Sequence, residues 1–521
     1  MLDYHNLYLD SDVLLLCDVW DNFRDLCYKI YNLDCCYYYT APGLSWDAML
    51  KHTKIELELI TDIEIYKFIV SGIRDGISQI SHRYAVANNK YMSKYEKEKE
   101  DSYILYLDAN NLYGYAMCEY LPYKGFKWNT DEWNTEKILN LDDHGETGYL
   151  FSVDVTLNKK HHDHFNQYPL FHENICIKKD DLNEWQKEDY MESKIQKLCL
   201  TFNDKKNYVV NYRYLKLCLS LGYELIKVNK VLEYKQSDFL KKYIMLNTEL
   251  RKISKNDFEK DFFKLMNNSV YGKTMENVRN RINFRLISTN EEALRVKNLK
   301  KFTIFNEDLV GVHINKSKVK LFKPIYLGQC ILDDSKVLMS NFHYNFMLKK
   351  IERENIDLLF TDTDSLCYHI RKQDVFEIIK ENSDEFDLSN YKKDNILYNS
   401  INNKVIGKMK NESPDKQIIK FIGLRSKLYS YVCDTEKKAH NKCKGIKRYK
   451  SIKFTIKNYN NTLTTRSRLS ITQNMITCRK HKLYSQQQTK IALSCYDDKI
   501  KVSQDNIRCF NFGYNSNQNT E

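Results

Sequence analysis

Between Val13 and Tyr31 apolar residues recur three and four positions apart, VLLLCDVWDNFRDLCYKIY, and predict an amphipathic helix. Residues 41–92 mix loop and helical patterns. Two nearly continuous apolar runs, Tyr103–Asp108 (YILYLD) and residues 150–156 (LFSVDVT), predict strands. A charged, mixed stretch from about 160 to 235 carries a short strand at Asn207–Val210 and a helix at Tyr214–Leu219. The pattern is strongly helical over 237–282, breaks into short strands and turns over 283–330, and is helical again over 335–353. Leu358–Ile370, LLFTDTDSLCYHI, then reads as strand, tight turn and strand. Residues 370–430 alternate helix and strand, and the final dozen, FNFGYNSNQNTE, carry no pattern that could bury a face.

The turn at 362–364 holds two carboxylates, Asp362 and Asp364, one residue apart. Alternate residues of an extended chain point to the same side, so both face one way. Two like charges that close are costly unless a cation lies between them. A calcium loop is excluded, because Leu366 and Cys367 stand where it needs an oxygen ligand and a glycine. Taken alone, an ordinary polar turn fits these residues as well.

The helix pattern at Asn256–Asn283 has two faces. At about 100° per residue, Lys260, Lys264, Asn268 and Tyr271 share an arc of roughly 80°. Phe258, Phe262, Leu265 and Ser269 fall on the opposite, core-facing side. Asn256 and Glu259 are spaced as a helix cap. Lysines one turn apart repel unless an anion lies across them, and a triphosphate is such an anion. Gly272 would allow a base or backbone to approach closely. A solvated lysine face is the plain alternative.

Composition narrows the setting. The 521 residues exceed one hydrophobic core, so several domains are expected. No apolar run reaches membrane-spanning length, and the acidic start MLDYHNLYLDSDV lacks a signal pattern. A soluble, intracellular protein without a membrane partner is expected. Fifteen scattered cysteines with no C-x2-C pair argue against a zinc ribbon or disulfide scaffold and fit reduced thiols. Net charge is +12, yet Lys437–Cys495 alone holds fifteen Lys and Arg with no Asp or Glu, leaving the remainder at −3. Lys444, Lys447, Arg448, Lys450, Arg479, Lys480 and Lys482 belong to this segment, which suits a phosphate backbone.

Three segments, in order, resemble the polymerase signature of family B DNA polymerases. Asp108-Ala-Asn-Asn-Leu-Tyr113-Gly114 resembles D-x-x-S-L-Y-P, with Asn111 and Gly114 as departures. Lys264-Leu-Met-Asn-Asn268-Ser269-Val-Tyr271-Gly272 matches K-x3-N-S-x-Y-G, and Phe360-Thr-Asp362-Thr-Asp364-Ser365 matches Y-x-D-T-D-S apart from its first residue. Lys427-Leu-Tyr429 fits the family's K-x-Y element, and the segments between motifs resemble the protein-primed subgroup, with its viral, organellar and Maverick/Polinton-like members.

The resemblance implies an α+β fold: a right-hand polymerase with an antiparallel palm sheet, helical fingers and a thumb, plus a C-terminal remnant of an RNase H-like exonuclease domain. In these terms residues 1–90 are exonuclease remnant and linker, 91–160 and 331–430 palm, 161–235 and 283–330 insertions, 236–282 fingers, and 431–521 thumb and tail. It implies template-directed DNA synthesis for a viral or virus-like mobile element, in the nucleus or cytoplasm, or in a mitochondrion if plasmid-derived. Asp108 and Asp364, helped by Asp362 and the Ala109 carbonyl, would hold two Mg2+ ions, with Mn2+ as a substitute. Lys264, Lys260, Arg251 and Lys252 would bind dNTP phosphates, Asn268 and Tyr271 would shape the pocket, and Tyr113 would exclude a ribose 2′-hydroxyl. Gly76, Gly272, Lys427, Tyr429, Lys444, Lys447 and Arg448 would contact the DNA primer-template. A terminal protein primer is a further expected partner. At Gly72-Ile-Arg-Asp75-Gly76, Asp75 stands where this subgroup tends to carry Gly. Tyr8 and Asp12 fit the third exonuclease motif, whose partner D-x-E would lie before Met1, so no proofreading is expected; Asp12 as a helix N-cap fits equally. The contrasting reading is a non-catalytic DNA-binding remnant of a mobile-element polymerase. A reverse transcriptase would carry adjacent carboxylates and no N-S-x-Y-G helix.

Overall fold

Strand pairing between distant segments places the Asp-Thr-Asp turn. The structure, a computed structural model, describes residues 2–515 except Lys437 and Lys480. Its central sheet has six strands in the order Ser78–Ile80, Ile356–Asp362, Ser365–Arg371, Ser102–Ala109, Met409–Asn411 and Phe386–Asp387. All pairings are antiparallel except the last. One face packs on the Ile325–Asn341 helix and its continuation, joining Leu105, Leu107, Leu358, Leu366 and Ile370 to Met339, Phe342 and Met347 in one core. That helix begins ten residues before the expected 335, because it is buried almost along its length and reads as a continuous apolar run rather than a stripe.

A second, four-stranded sheet joins Leu121–Asn129, Glu224–Ser237, Thr147–Thr156 and Lys205–Asn211. Its strands come from both sides of the expected palm–insertion boundary at 160, so residues 121–237 form one unit whose first and last residues, Leu121 and Ser237, are paired. Asn283–Ile287, Leu309–Ile314 and Leu299–Asn306 form a separate three-stranded sheet. The acid-free segment contains a long exposed hairpin, Leu469–Arg479 with Lys482–Leu493. Lys480 lies outside the described residues.

The N-terminal helix runs Leu2–Tyr31 and buries only Cys27 and Tyr31, while Leu14, Leu15 and Leu16 are each more than 60% exposed. Asp12 therefore lies inside a helix and caps nothing. From Phe23 onward this helix packs on the Lys241–Ile253 and Asp257–Thr274 pair, with Phe23 edge-on to Phe258 and Phe262. The chain end is also more ordered than expected: Asn511 and Phe512 are buried, and Phe202 N donates to Phe512 O. Residues 516–521 lie outside the described residues. Among the described residues no helix is long and apolar enough to cross a membrane.

Candidate active site

Asp108, next to last in its strand, lies opposite Ser365 on one side and Lys410 on the other. The neighbouring hairpin turns through Thr363, whose φ of 64° is unusual for a branched residue. The turn is held from both flanks. Thr363 N donates to Ile77 O at 2.8 Å, and Ala109 N donates to Asp364 O at 2.7 Å. Gly76 leaves room for this turn, since a Cβ there would come within 2.5 Å of Thr363 Cγ2. Gly76 thus supports the aspartate turn.

Asp108 and Asp364 converge across this strand pair. Burial and the Asp364 and Glu412 charges push the Asp108 carboxyl up to about 7, against one hydrogen bond from Ser365 Oγ at 3.0 Å. Burial also raises Asp364, assisted by Asp362, while Lys427 and Lys264 pull it down. The Lys264 ammonium therefore acts on the carboxylates from the helix side. Asp362 is already paired, through a short contact with Lys427 Nζ. The K-x-Y lysine is thus engaged with the aspartate turn.

Tyr429 departs from the expected DNA contact. It is 4% exposed, stacked on Phe360 at 4.5 Å, and its hydroxyl lies 3.2 Å from that of Tyr106. With Phe421 these rings form a separate core under the aspartate hairpin. Its position two residues after a half-buried lysine gave no sign of this, because burial is set by strands brought in from residues 78–87 and 418–433.

The Asp257–Thr274 helix is capped by Asn256, whose side chain accepts from Glu259 N at 2.8 Å. Its buried residues are Phe262, Phe263, Met266, Asn267, Ser269, Val270 and Thr274; Phe258 and Leu265 are 57% and 43% exposed. The core face is thus rotated from the expected one, following the i, i+4 row 262–266–270. Lys264 and Asn268 are exposed, as expected, and nothing lies within 4 Å of a Cβ built on Gly272. Tyr271 stacks on Tyr113 with centroids 4.5 Å apart and planes 18° from parallel, joining this helix to the short Leu112–Met117 helix that follows the Asp108 strand. Lys260 and Lys252 pair with Asp257 and Glu249 on their own helices, while the buried Arg251 Nε has no hydrogen-bond partner.

Beside the turn lies a cleft of about 400 Å³ walled by Arg425, Lys427, Lys444 and Lys499, with Lys197 bridged to Asp498. Lys197, Arg425 and Lys499 had no motif to announce them; they meet only because three distant segments converge. Lys447 and Arg448 are exposed nearby in sequence, and Lys447 N is tied to Gln473 of the long hairpin. Tyr8 and Asp12 sit on the exposed part of the N-terminal helix and are not among the side chains gathered here. Among the described residues, Asp12 belongs to no cluster of three or more potential ligands.

The sheet with its paired carboxylates, the two-helix element facing it and the basic C-terminal part have the architecture of a right-hand polymerase. The backbone is similar to Phi29 DNA polymerase complexed with primer-template DNA (TM-score 0.55, 15% identity, 90% of this chain and 70% of that one). It is also similar to that polymerase in its ternary complex with primer-template DNA and incoming nucleotides (TM-score 0.53, 16% identity, 88% and 68%) and with single-stranded DNA (TM-score 0.51, 16% identity, 88% and 68%). No curated protein sequence matches this chain significantly. The family model described as DNA polymerase type B, organellar and viral, matches residues 2–326, and the chain belongs to that family of DNA-directed DNA polymerases. Family B DNA polymerases use divalent metal ions.

Proposed function

We propose that this chain extends a primer 3′-hydroxyl on a DNA template with dNTPs, using Asp108 and Asp364 as the carboxylates that hold two Mg2+ ions. The observation that carries the reading is that Asp108 pairs with Ser365, which puts it beside the turn holding Asp364, while Asp362 is tied to Lys427. The donor set fits: carboxylate oxygens without nitrogen or sulfur are what a hard, small cation takes. Burial, with the neighbouring carboxylates, raises both carboxyl groups, and bound positive charge would relieve it. Mg2+ bound there supplies a lowered pKa for the primer hydroxyl and neutralises triphosphate charge.

The chain's own residues do the positioning. Ser365 orients the Asp108 carboxylate by hydrogen bonding to one of its oxygens. Lys427 holds Asp362 in reserve, which makes Asp364 the primary ligand and Asp362 the assistant. The Ala109 carbonyl follows Asp108 on the same strand as a further oxygen donor. Lys264, with Lys260, Arg251 and Lys252, draws the triphosphate to the helix face. Asn268 and the open backbone at Gly272 shape the base pocket. The basic cleft with Lys444, then Lys447 and Arg448, takes the duplex backbone. Membership among viral and organellar enzymes supports a role in copying a viral or virus-like element, with priming by a terminal protein as the subgroup's route. We assign no exonuclease chemistry to residues 2–72, whose regular elements are all helical and in which, among the described residues, Asp12 belongs to no cluster of three or more potential ligands.

Purified protein with a primed template, dNTPs and Mg2+ is expected to extend the primer and to stop when the metal is chelated. DNA binding without incorporation would instead identify a non-catalytic remnant. The Tyr113–Tyr271 stack, which fixes the Tyr113 ring, supports its role in excluding a ribose 2′-hydroxyl. Tyr113→Val is therefore expected to reduce discrimination against ribonucleotides by about a hundredfold, a loss of about 2.7 kcal/mol. Ratios of kcat/KM for dNTP and rNTP measure this; unchanged ratios would remove Tyr113 from that role.

A further inference from the structure

Residues 402–408 form a pinned bridge between the segment after Asp108 and the helical element. Asp387 is 2% exposed. Its carboxylate accepts from Asn110 Nδ2 at 2.7 Å, from Lys404 N at 2.9 Å, and from the backbone N and Oγ of Ser389 at 3.1 and 2.6 Å. Asn402 Nδ2 donates to the carbonyls of Ser383, Asp384 and Phe386. Gly407, at φ +79°, donates its N–H to Asn110 O at 2.8 Å and lies so close to the Tyr115 ring that a Cβ would meet it at 2.6 Å. Ile406 packs against the core shared with Tyr243, Phe262 and Met266. The loop is fixed on both sides, and Lys404 is carried on it in a left-handed conformation, φ 53°.

We propose that Lys404 binds the triphosphate of the incoming nucleotide from the palm side, opposite Arg251, Lys252 and Lys260, and that Asp387 is the positioning residue that holds the Lys404 backbone directly and ties it to Asn110. This rests on the reading of the Asp108–Lys264 site as the nucleotide site. Burial and the nearby Arg251, Lys260 and Lys252 charges together hold the Lys404 ammonium below its ordinary range. Cations arriving from three separate segments crowd one region, and a polyanion is the ligand that relieves such crowding. Arg251 adds a buried Nε without a hydrogen-bond partner to the same region. Among the described residues Lys404 makes no ion pair, so its charge is available to a ligand. An ordinary loop lysine needs none of the pinning that Asp387, Asn402 and Gly407 supply here.

Steady-state single-nucleotide incorporation tests the assignment. Lys404→Ala is expected to raise the dNTP KM about tenfold, more than it changes kcat or primer-template affinity, and to weaken inhibition by inorganic tripolyphosphate to a similar degree, as loss of one charge-assisted bond does. Lys404→Arg should restore most of both. Asp387→Asn should shift KM in the same direction, and the double variant Asp387→Asn, Lys404→Ala should be no worse than the poorer single one, since both act through one contact. Lys264→Ala serves as reference on the helix side. If it raises KM while Lys404→Ala changes neither KM nor tripolyphosphate inhibition, the Lys404 assignment is overturned. If Lys264→Ala also leaves both unchanged, the underlying nucleotide-site reading fails.

Discussion

Asp364→Asn is expected to lower nucleotide incorporation at least about a thousandfold, some 4 kcal/mol of transition-state stabilisation, with DNA binding largely kept. Asp364 has no basic partner of its own comparable to the Lys427–Asp362 pair, so its charge is the one left to a cation. Asp362→Asn should cost less, because its carboxylate is already neutralised by Lys427. Single-turnover extension of a labelled primer separates the two. Full activity of Asp364→Asn, or a larger loss in Asp362→Asn, would reverse the roles assigned here.

Asp108→Asn is expected to do two opposite things. It should abolish incorporation, and it should stabilise the metal-free protein at pH 8 by about 2 kcal/mol after allowing for solvent screening. The sign follows from the Asp108 carboxyl, raised from 3.8 to about 7 by burial, Asp364 and Glu412. A raised folded-state pKa gives stability that is complete below the unfolded value and is lost as pH climbs through the folded one. The wild type therefore loses stability between about pH 4 and 7, where the unfolded chain ionises and the folded site resists. The variant, which does not titrate there, escapes this loss. Thermal unfolding in chelator across that range should show the two proteins diverging up to about pH 7 and running parallel above it. Added Mg2+ should then raise the wild-type Tm at pH 8 and leave the variant nearly unchanged. A variant less stable than wild type in chelator at pH 8 would show that the carboxylates are not strained by their proximity.

The elements legible from the chain alone are those decided locally. The Ser102–Ala109 strand, the aspartate hairpin, the Asn256 cap and the exposed Lys264–Asn268 face are set by side-chain period and by short-range hydrogen bonds. What escaped was decided by distant partners. Tyr429 is buried because strands from three regions close over it. The 121–237 unit crosses the boundary drawn at 160 because its strands pair across that point. Phe258 and Leu265 look as apolar as Phe262, and only the position of neighbouring helices selects which row is covered. Lys404 carries no local signal; its placement comes from a carboxylate at residue 387 and an amide at residue 110.

The pairing of Leu121 with Ser237 bears on how the carboxylates come together during folding. Asp108 and its hydrogen-bonded partner Ser365 are separated by 257 positions in the chain. Closing a featureless loop of that length costs about 5 kcal/mol of chain entropy before any contact is gained. A unit whose own ends are hydrogen-bonded removes its whole length from that loop once it has folded. The 121–237 sheet, once paired, shortens the path between Asp108 and Ser365, and its inner residues Phe151, Val153 and Val210 then complete one core with Leu105 and Leu358 of the central sheet. Its early formation is what would let a catalytic centre split across the chain assemble at a reasonable rate.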